Sequence, residues 1–257
     1  MSNPLLALFA AAALLPGTPE EGADWLHEAE GHLYSWPKPG GVVHFQVKTD
    51  VLDKAIATLR KQLPPNPDPA AVKTIDALRR TEIAGTVDLE TGQATAEVEM
   101  TVDTSDPTRK ASIEQVKQEL TTMVTRMFEI LPFHDPALTR KDGKVLEATE
   151  SGDQLTVKIT GKTPGTETSI RLERRKMLPE SFESAAQSIK VRYTEVLPGK
   201  FAPARFDIEM PRAPKSTVTF TYQRVGELVF PSTIVVESAG TKARLEFRSI
   251  RLERRAP

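Results

Sequence analysis

The sequence predicts an α+β protein: a large, strongly twisted antiparallel β-sheet covered by helices from the N-terminal half. Two observations carry this. Every stretch with apolar residues spaced three and four apart lies before Pro132, whereas beyond Gly143 the apolar period is almost wholly two. The connections in that second half are short, as in Gly152–Asp153, Pro198–Gly199 and Ala239–Gly240, which makes successive strands antiparallel neighbours.

The chain opens on "MSNPLLALFAAAALLPGTPEEG", with an unbroken apolar run of eleven residues from Leu5 to Leu15. That is too short to span a bilayer and fits the apolar region of a secretory signal over 1–17. No Lys or Arg precedes the run, and a buried N-terminal helix is the competing reading. Cleavage is expected after Gly17 or Ala23. "DWLHEAEGHLYSW" then reads as a short helix with Asp24 as N-cap and a stripe of Trp25, Ala29, His32 and Trp36. "GGVVHFQVK" reads as a strand. A helix follows behind Asp50 as cap, with Leu52, Ala55, Ile56, Leu59 and Leu63 on one stripe. "PPNPDP" stops it, and Asp68–Pro69 starts another through Val72, Ile75 and Leu78.

From Glu82 the pattern is a hairpin turning at Thr91–Gly92. Ala94, Ala96, Val98, Met100 and Val102 share one face, and Glu97, Glu99 and Asp103 the other. Ser112 and Gln115 have the spacing of a capping box, opening the longest helix. Its stripe is Ile113, Val116, Leu120, Met123, Met127 and Ile130, ending at Pro132. Eight runs of period two follow, from "KVLEATES" to "KARLEFRSIRLERR", for roughly ten strands in all. Pro231 within its run marks an edge or a bulge. "SIRLERR" occurs at 169–175 and 249–255, but the flanks do not match, so it is one strand design used twice. No linker separates two domains, and 18–257 reads as one.

Composition removes several chemistries. There is no cysteine, so disulfides, thiolate zinc sites and a cysteine nucleophile are excluded. Residues 1–150 carry 15 Lys and Arg against 23 Asp and Glu, and residues 151–257 carry 19 against 12. The basic half lacks interleaved exposed aromatics, which argues against nucleic acid. In "HEAEGH" the histidines His27 and His32 are five residues apart, roughly 140° round a helix, so they leave different faces. With His44 as a third donor they still make a poor metal site, and none is expected. Glu97 and Glu99 read as a solvated strand face. No nucleophile elbow and no glycine-rich phosphate loop occurs, and His134 lacks spaced partners. The chain is therefore expected not to be an enzyme and to need no cofactor, with an unrecognised hydrolase as the remaining catalytic reading.

A sheet of this size curls, and its inner face must be covered. The helix after Ser112 offers Met123 and Met127, flexible side chains that suit irregular apolar surfaces. The expected inner face, and the candidate site for an apolar chain, comprises Val98, Met100, Met123, Met127, Phe128, Val218, Phe220, Tyr222, Leu245 and Phe247. Arg174, Arg175, Arg254 and Arg255 close the two "SIRLERR" strands with charge and form a second candidate, for an anionic head group.

The stretch "STVTFTYQRVGELVFPSTIVVESAGTKARLEFRSIRLER" resembles the end of outer-membrane lipoprotein-sorting (LolA/LolB-like) proteins, with a strand, a Gly-to-Pro passage (Gly226 to Pro231), a strand, a short turn and a final strand. The resemblance implies an incomplete β-barrel with a helical lid, working in the periplasm or otherwise outside the cytoplasm. It implies a lipid or lipoprotein acyl chain as cargo and a membrane-bound delivery or acceptor partner. The helices at 51–80 and 112–131 depart from that pattern. A helix-grip lipid-binding fold is similar in outline but ends in its long helix, whereas this chain ends in strands. The expectation is a monomeric, non-catalytic carrier. Its competitor is an envelope structural or interaction protein with the same sheet packed solid.

Overall fold

The computed structural model describes residues 15–254 except 39, 102–106, 130, 132, 134–137, 139–142 and 161–165. The expected leader before Leu15, and Val102, Asp103, Ile130, His134 and Arg255, lie outside the described residues.

In chain order the elements are β1 (Leu15–Gly17), α1 (Pro19–His32), β2 (Gly41–Thr49), α2 (Asp50–Gln62), α3 (Pro69–Arg79), β3 (Glu82–Asp88), β4 (Ala94–Glu99) and α4 (Pro107–Glu129). Nine strands follow: β5 (Val145–Ser151), β6 (Gln154–Thr160), β7 (Glu167–Glu173), β8 (Leu178–Ser184), β9 (Ser188–Leu197), β10 (Lys200–Glu209), β11 (Ser216–Val225), β12 (Leu228–Ser238) and β13 (Thr241–Arg254). The expected α+β class holds: all thirteen strands belong to one antiparallel sheet of open order, and the four described helices come from the first half. The chain divides into two compact units, each assembled from two stretches: 1–34 with 136–217, and 35–135 with 218–257.

In the first unit the strand order is β1-β5-β6-β7-β8-β9-β10. Helix α1 presses Leu26 and Ala29 onto Leu155, Val157 and Ile159 of β6 and Ile170 and Leu172 of β7. Its N-cap is Thr18, not Asp24. The Thr18 hydroxyl accepts from the Glu21 N–H at 3.2 Å, and the Thr18 N–H donates to the Glu21 carboxylate at 2.7 Å. This reciprocal box, with Pro19 at the first helical position, outcompetes Asp24, which falls a turn inside. The buried stripe is accordingly Gly22, Leu26 and Ala29, and Trp36 lies beyond the helix. Leu15–Gly17, inside the expected leader, pair with Glu150–Ala148 of β5. Strand β8, "LPESFES", was not expected. A register shift at Arg171/Leu172 on β7 sets Ser181 opposite Arg171 and Pro179 opposite Leu172, leaving Glu180 between them and erasing the period of two.

On the far side of this sheet from α1, Asp207 of β10 accepts three hydrogen bonds from Arg205, at 2.7 to 3.1 Å, and one from Thr217 at 3.0 Å. The Arg205 bonds hold its carboxyl below the usual value, aided by Thr217 and the nearby Arg192 charge, against the opposing pull of burial. Because the folded value is the lower one, this group stabilises the fold fully above about pH 3.9, and the contribution is lost as pH falls through the folded value. Asp207→Asn is therefore expected to lower the thermal midpoint at pH 7. The gap to the wild type should close on acidification, and a gap independent of pH between 7 and 2 would show that the ion pair contributes nothing.

In the second unit the order is β11-β12-β13-β2-β3-β4, with β11 counted from Val218. One face is built in rows: Phe247–Val47–Ile83–Val98, then Phe45–Gly85–Ala96, then Leu252–Val43–Val87–Ala94. Its central members are buried. Strand β13 carries a bulge between Arg248 and Arg251, where Ser249 takes φ 50°. The bulge moves the inward positions from Leu245 and Phe247 to Ile250 and Leu252. Pro231 is not on an edge strand; β12 pairs with β13 from Thr233 to Ser238, so Pro231 sits just past that ladder, in line with the bulge. The cap of α2 is Thr49, whose hydroxyl accepts from Val51 N–H at 3.3 Å, while Asp50 accepts from Arg244 N–H at 2.7 Å. Helix α4 begins at Pro107, so Ser112 lies within it and Gln115 bonds Glu119 instead.

A candidate apolar site in the second unit

All ten residues expected to line an apolar site fall within the second unit. Val98, Met100, Val218, Phe220, Leu245 and Phe247 are buried, and Tyr222 is half-buried. Phe128 projects from α4 and is 1% exposed. The face of α4 that enters the core is Leu120, Val124 and Phe128, at successive steps of four. Met123 and Met127 stand one position to the side of that stripe and are half-buried. With Gln115, Gln118, Glu119, Thr122 and Arg126 they line an open groove of about 500 Å³.

The face beneath α4 is filled by aromatic rings. Phe128 lies 5.2 Å from Phe45, 5.6 Å from Phe230 and 5.5 Å from Phe247, centroid to centroid. Phe45 is likewise 5.5 Å from Phe247 and 5.8 Å from Phe230, in tilted or edge-on contacts. A second aromatic row runs from Trp36 through Phe133 and Tyr222 to Phe220, at 5.7, 5.9 and 6.4 Å. The Trp36 side chain is 3% exposed, and its indole N–H has no hydrogen-bond partner. Sequence reasoning missed Phe45, Phe230, Val124, Phe133 and Trp36. Phe45 had a readable signal, since Val43, Phe45 and Val47 alternate along β2. Phe230 sits in the continuous run Leu228–Pro231, where all four residues are buried and alternation says nothing.

A second groove of about 420 Å³ lies beside α2 and α3. Val47, Leu52, Ile56, Leu78 and Ile83 form its apolar part, with Lys48, Arg79 and Arg248 and the acids Asp53, Glu82 and Glu99 around them. Glu82 and Glu99 stand directly opposite each other across β3 and β4.

Three of the arginines expected to meet an anionic head group are among the described residues. Arg174 pairs with Glu150 and Arg175 with Asp153 in the first unit, and Arg254 pairs with Glu227 in the second. His44 meets Glu253 at 3.0 Å, His27 is 91% exposed beside Glu30, and no group of three or more His, Cys, Asp or Glu with metal-ligand geometry occurs among the described residues. Among the described residues no helix is long and apolar enough to cross a membrane.

No family model matches the chain, and no curated protein matches it. Among solved structures, the crystal structure of a Vibrio parahaemolyticus domain described as an outer membrane lipoprotein-sorting protein is similar over 92% of this chain and 94% of its own. The identity is 10% and the TM-score 0.25.

Proposed function

We propose that this chain is an exported, non-catalytic binding protein that holds one apolar chain, of a lipid or a lipoprotein acyl group, against the inner face of the second unit. The reading rests on one observation: an aromatic-rich sheet face packs against Phe128 of α4, and the same helix bears a groove containing Met123 and Met127. In the conformation described here Phe128 occupies the place of the cargo, so entry requires α4 to withdraw. Magnitudes permit this exchange. Exposing Leu120, Val124 and Phe128 costs roughly 1.5–3 kcal/mol each. An acyl chain of about fourteen methylenes returns roughly 11 kcal/mol at 0.8 kcal/mol apiece.

A second reading has its own support. The rings of Phe45, Phe128, Phe230 and Phe247 fill the face at spacings of 5.2 to 5.9 Å, which is how a solid core packs. Such a protein would act in the envelope through its surface and hold no ligand. Native mass spectrometry of protein purified from its own host separates the two. The carrier reading expects copurified lipid and saturable uptake of a fluorescent fatty acid that weakens when Met123 and Met127 are changed to Glu. Protein that is lipid-free and takes up no fatty acid is the solid-core protein.

A further inference from the structure

A row of side chains in the first unit carries a different chemistry. On the sheet face opposite α1 the antiparallel registers place Thr156, Arg171, Ser181, Lys190 and Asp207 side by side across β6 to β10. Ile170 and Leu172 pack under α1, so their neighbour Arg171, and with it Ser181 and Lys190, faces the other way. Ser181 sits between two long cationic side chains, is 5% exposed, and its hydroxyl has no hydrogen-bond partner. A buried hydroxyl left unpaired is costly, and its presence between two cations calls for an acceptor.

The charges nearby are not all spent. Arg205 is fully engaged with Asp207, and Arg171 makes one long contact of 3.4 Å with Glu183. Lys190 and Arg192 form no ion pair among the described residues, acting only through space on Glu209 and Asp207. Arg192 stands directly opposite Arg205, and the Asp207 carboxylate that Arg205 holds lies near both. Glu180 is displaced at the register shift and exposed.

We infer that Arg171, Lys190 and Arg192, with the Ser181 hydroxyl beneath them, form a binding site for a phosphate group. Phosphate supplies the missing acceptor for Ser181 and takes charge-assisted hydrogen bonds from the guanidinium and ammonium groups around it. The group could come from a free phosphate compound or from a phospholipid head group; the recognition chemistry is shared. The site lies wholly within the first unit and stands independently of the acyl-chain reading.

The test titrates the full chain with inorganic phosphate, using chloride at equal ionic strength as control, by calorimetry and thermal unfolding. Phosphate is expected to bind and to raise the thermal midpoint where chloride does not. Ser181→Ala should weaken binding roughly tenfold or more, the loss of one hydrogen bond to a charged group. The same change should leave the phosphate-free midpoint equal or higher, because an unpaired buried hydroxyl is gone. Lys190→Gln with Arg192→Gln should abolish the phosphate effect. Sedimentation with phosphatidylglycerol vesicles, reversed by phosphate and lost in the double variant, identifies a head group; phosphate binding without sedimentation identifies a free ligand. Equal effects of phosphate and chloride, or unaltered phosphate affinity in Ser181→Ala, overturn the inference.

Discussion

Phe128→Ala is expected to cost about 3–5 kcal/mol of stability in the second unit, the range for deleting a fully buried aromatic side chain. The ring is 1% exposed and touches Phe45, Phe230 and Phe247, so its removal opens a cavity walled by three rigid rings that cannot collapse inward. Phe128→Leu should recover much of the loss. Urea unfolding followed by fluorescence reports this cleanly, because the two tryptophans divide one to each unit: Trp25 in the first and Trp36 in the second. In a Trp25→Phe background the signal belongs to the second unit alone. A loss of unfolding free energy below about 1 kcal/mol, far less than a rigid site would lose, would mean that α4 is not docked in solution.

Gly85→Ala should be markedly destabilising. A Cβ at Gly85 would lie 2.5 Å from the Phe45 ring and 2.8 Å from the Thr95 carbonyl oxygen. The ring can swing away only into Phe128, Phe230 and Phe247, and the carbonyl belongs to the neighbouring strand. Overpacking of this kind costs about 1–3 kcal/mol. Combining Gly85→Ala with Phe45→Leu is expected to cost less than the sum of the two single changes, since the smaller side chain makes room. Strict additivity in that double-mutant cycle would show that the contact with Phe45 is not the reason for the glycine.

Much of the second unit was legible because its faces alternate without interruption. Val43, Phe45 and Val47, and likewise Ala94, Ala96 and Val98, spell out an inner face residue by residue. What escaped had physical reasons. Thr18–Pro19–Glu20–Glu21 carries a complete capping box, but the apolar leader before it drew the start of the helix toward Asp24. In β13 the inward parity passes from Leu245 and Phe247 to Ile250 and Leu252, a readable sign of the bulge at Ser249. Strand β8 could not be read, because its buried members include Pro179 and Ser181 and its register shifts within the strand. The stripe of α4 was read one position off. Two methionines satisfy a three-and-four spacing as well as Val124 and Phe128 do, and only packing decides between them.

The interleaving of the two units sets a schedule for the growing chain. Strand β2 emerges early, at Gly41–Thr49, yet its partner β13 is Thr241–Arg254, nearly the last part to be made. Until then β2 presents an open edge bearing Val43, Phe45 and Val47, and the loop that must close is about 200 residues long. Closure entropy grows only with the logarithm of that length, so the finished fold loses little stability, but formation is slow and the waiting edge is prone to wrong pairing. A ribosome or translocation channel releasing this chain from its N-terminus therefore delivers all of the first unit, which ends at Thr217, before the second can close on β13. A fragment ending before Thr241 keeps the hairpin of β3 and β4 but leaves β2 without the neighbour on its other side.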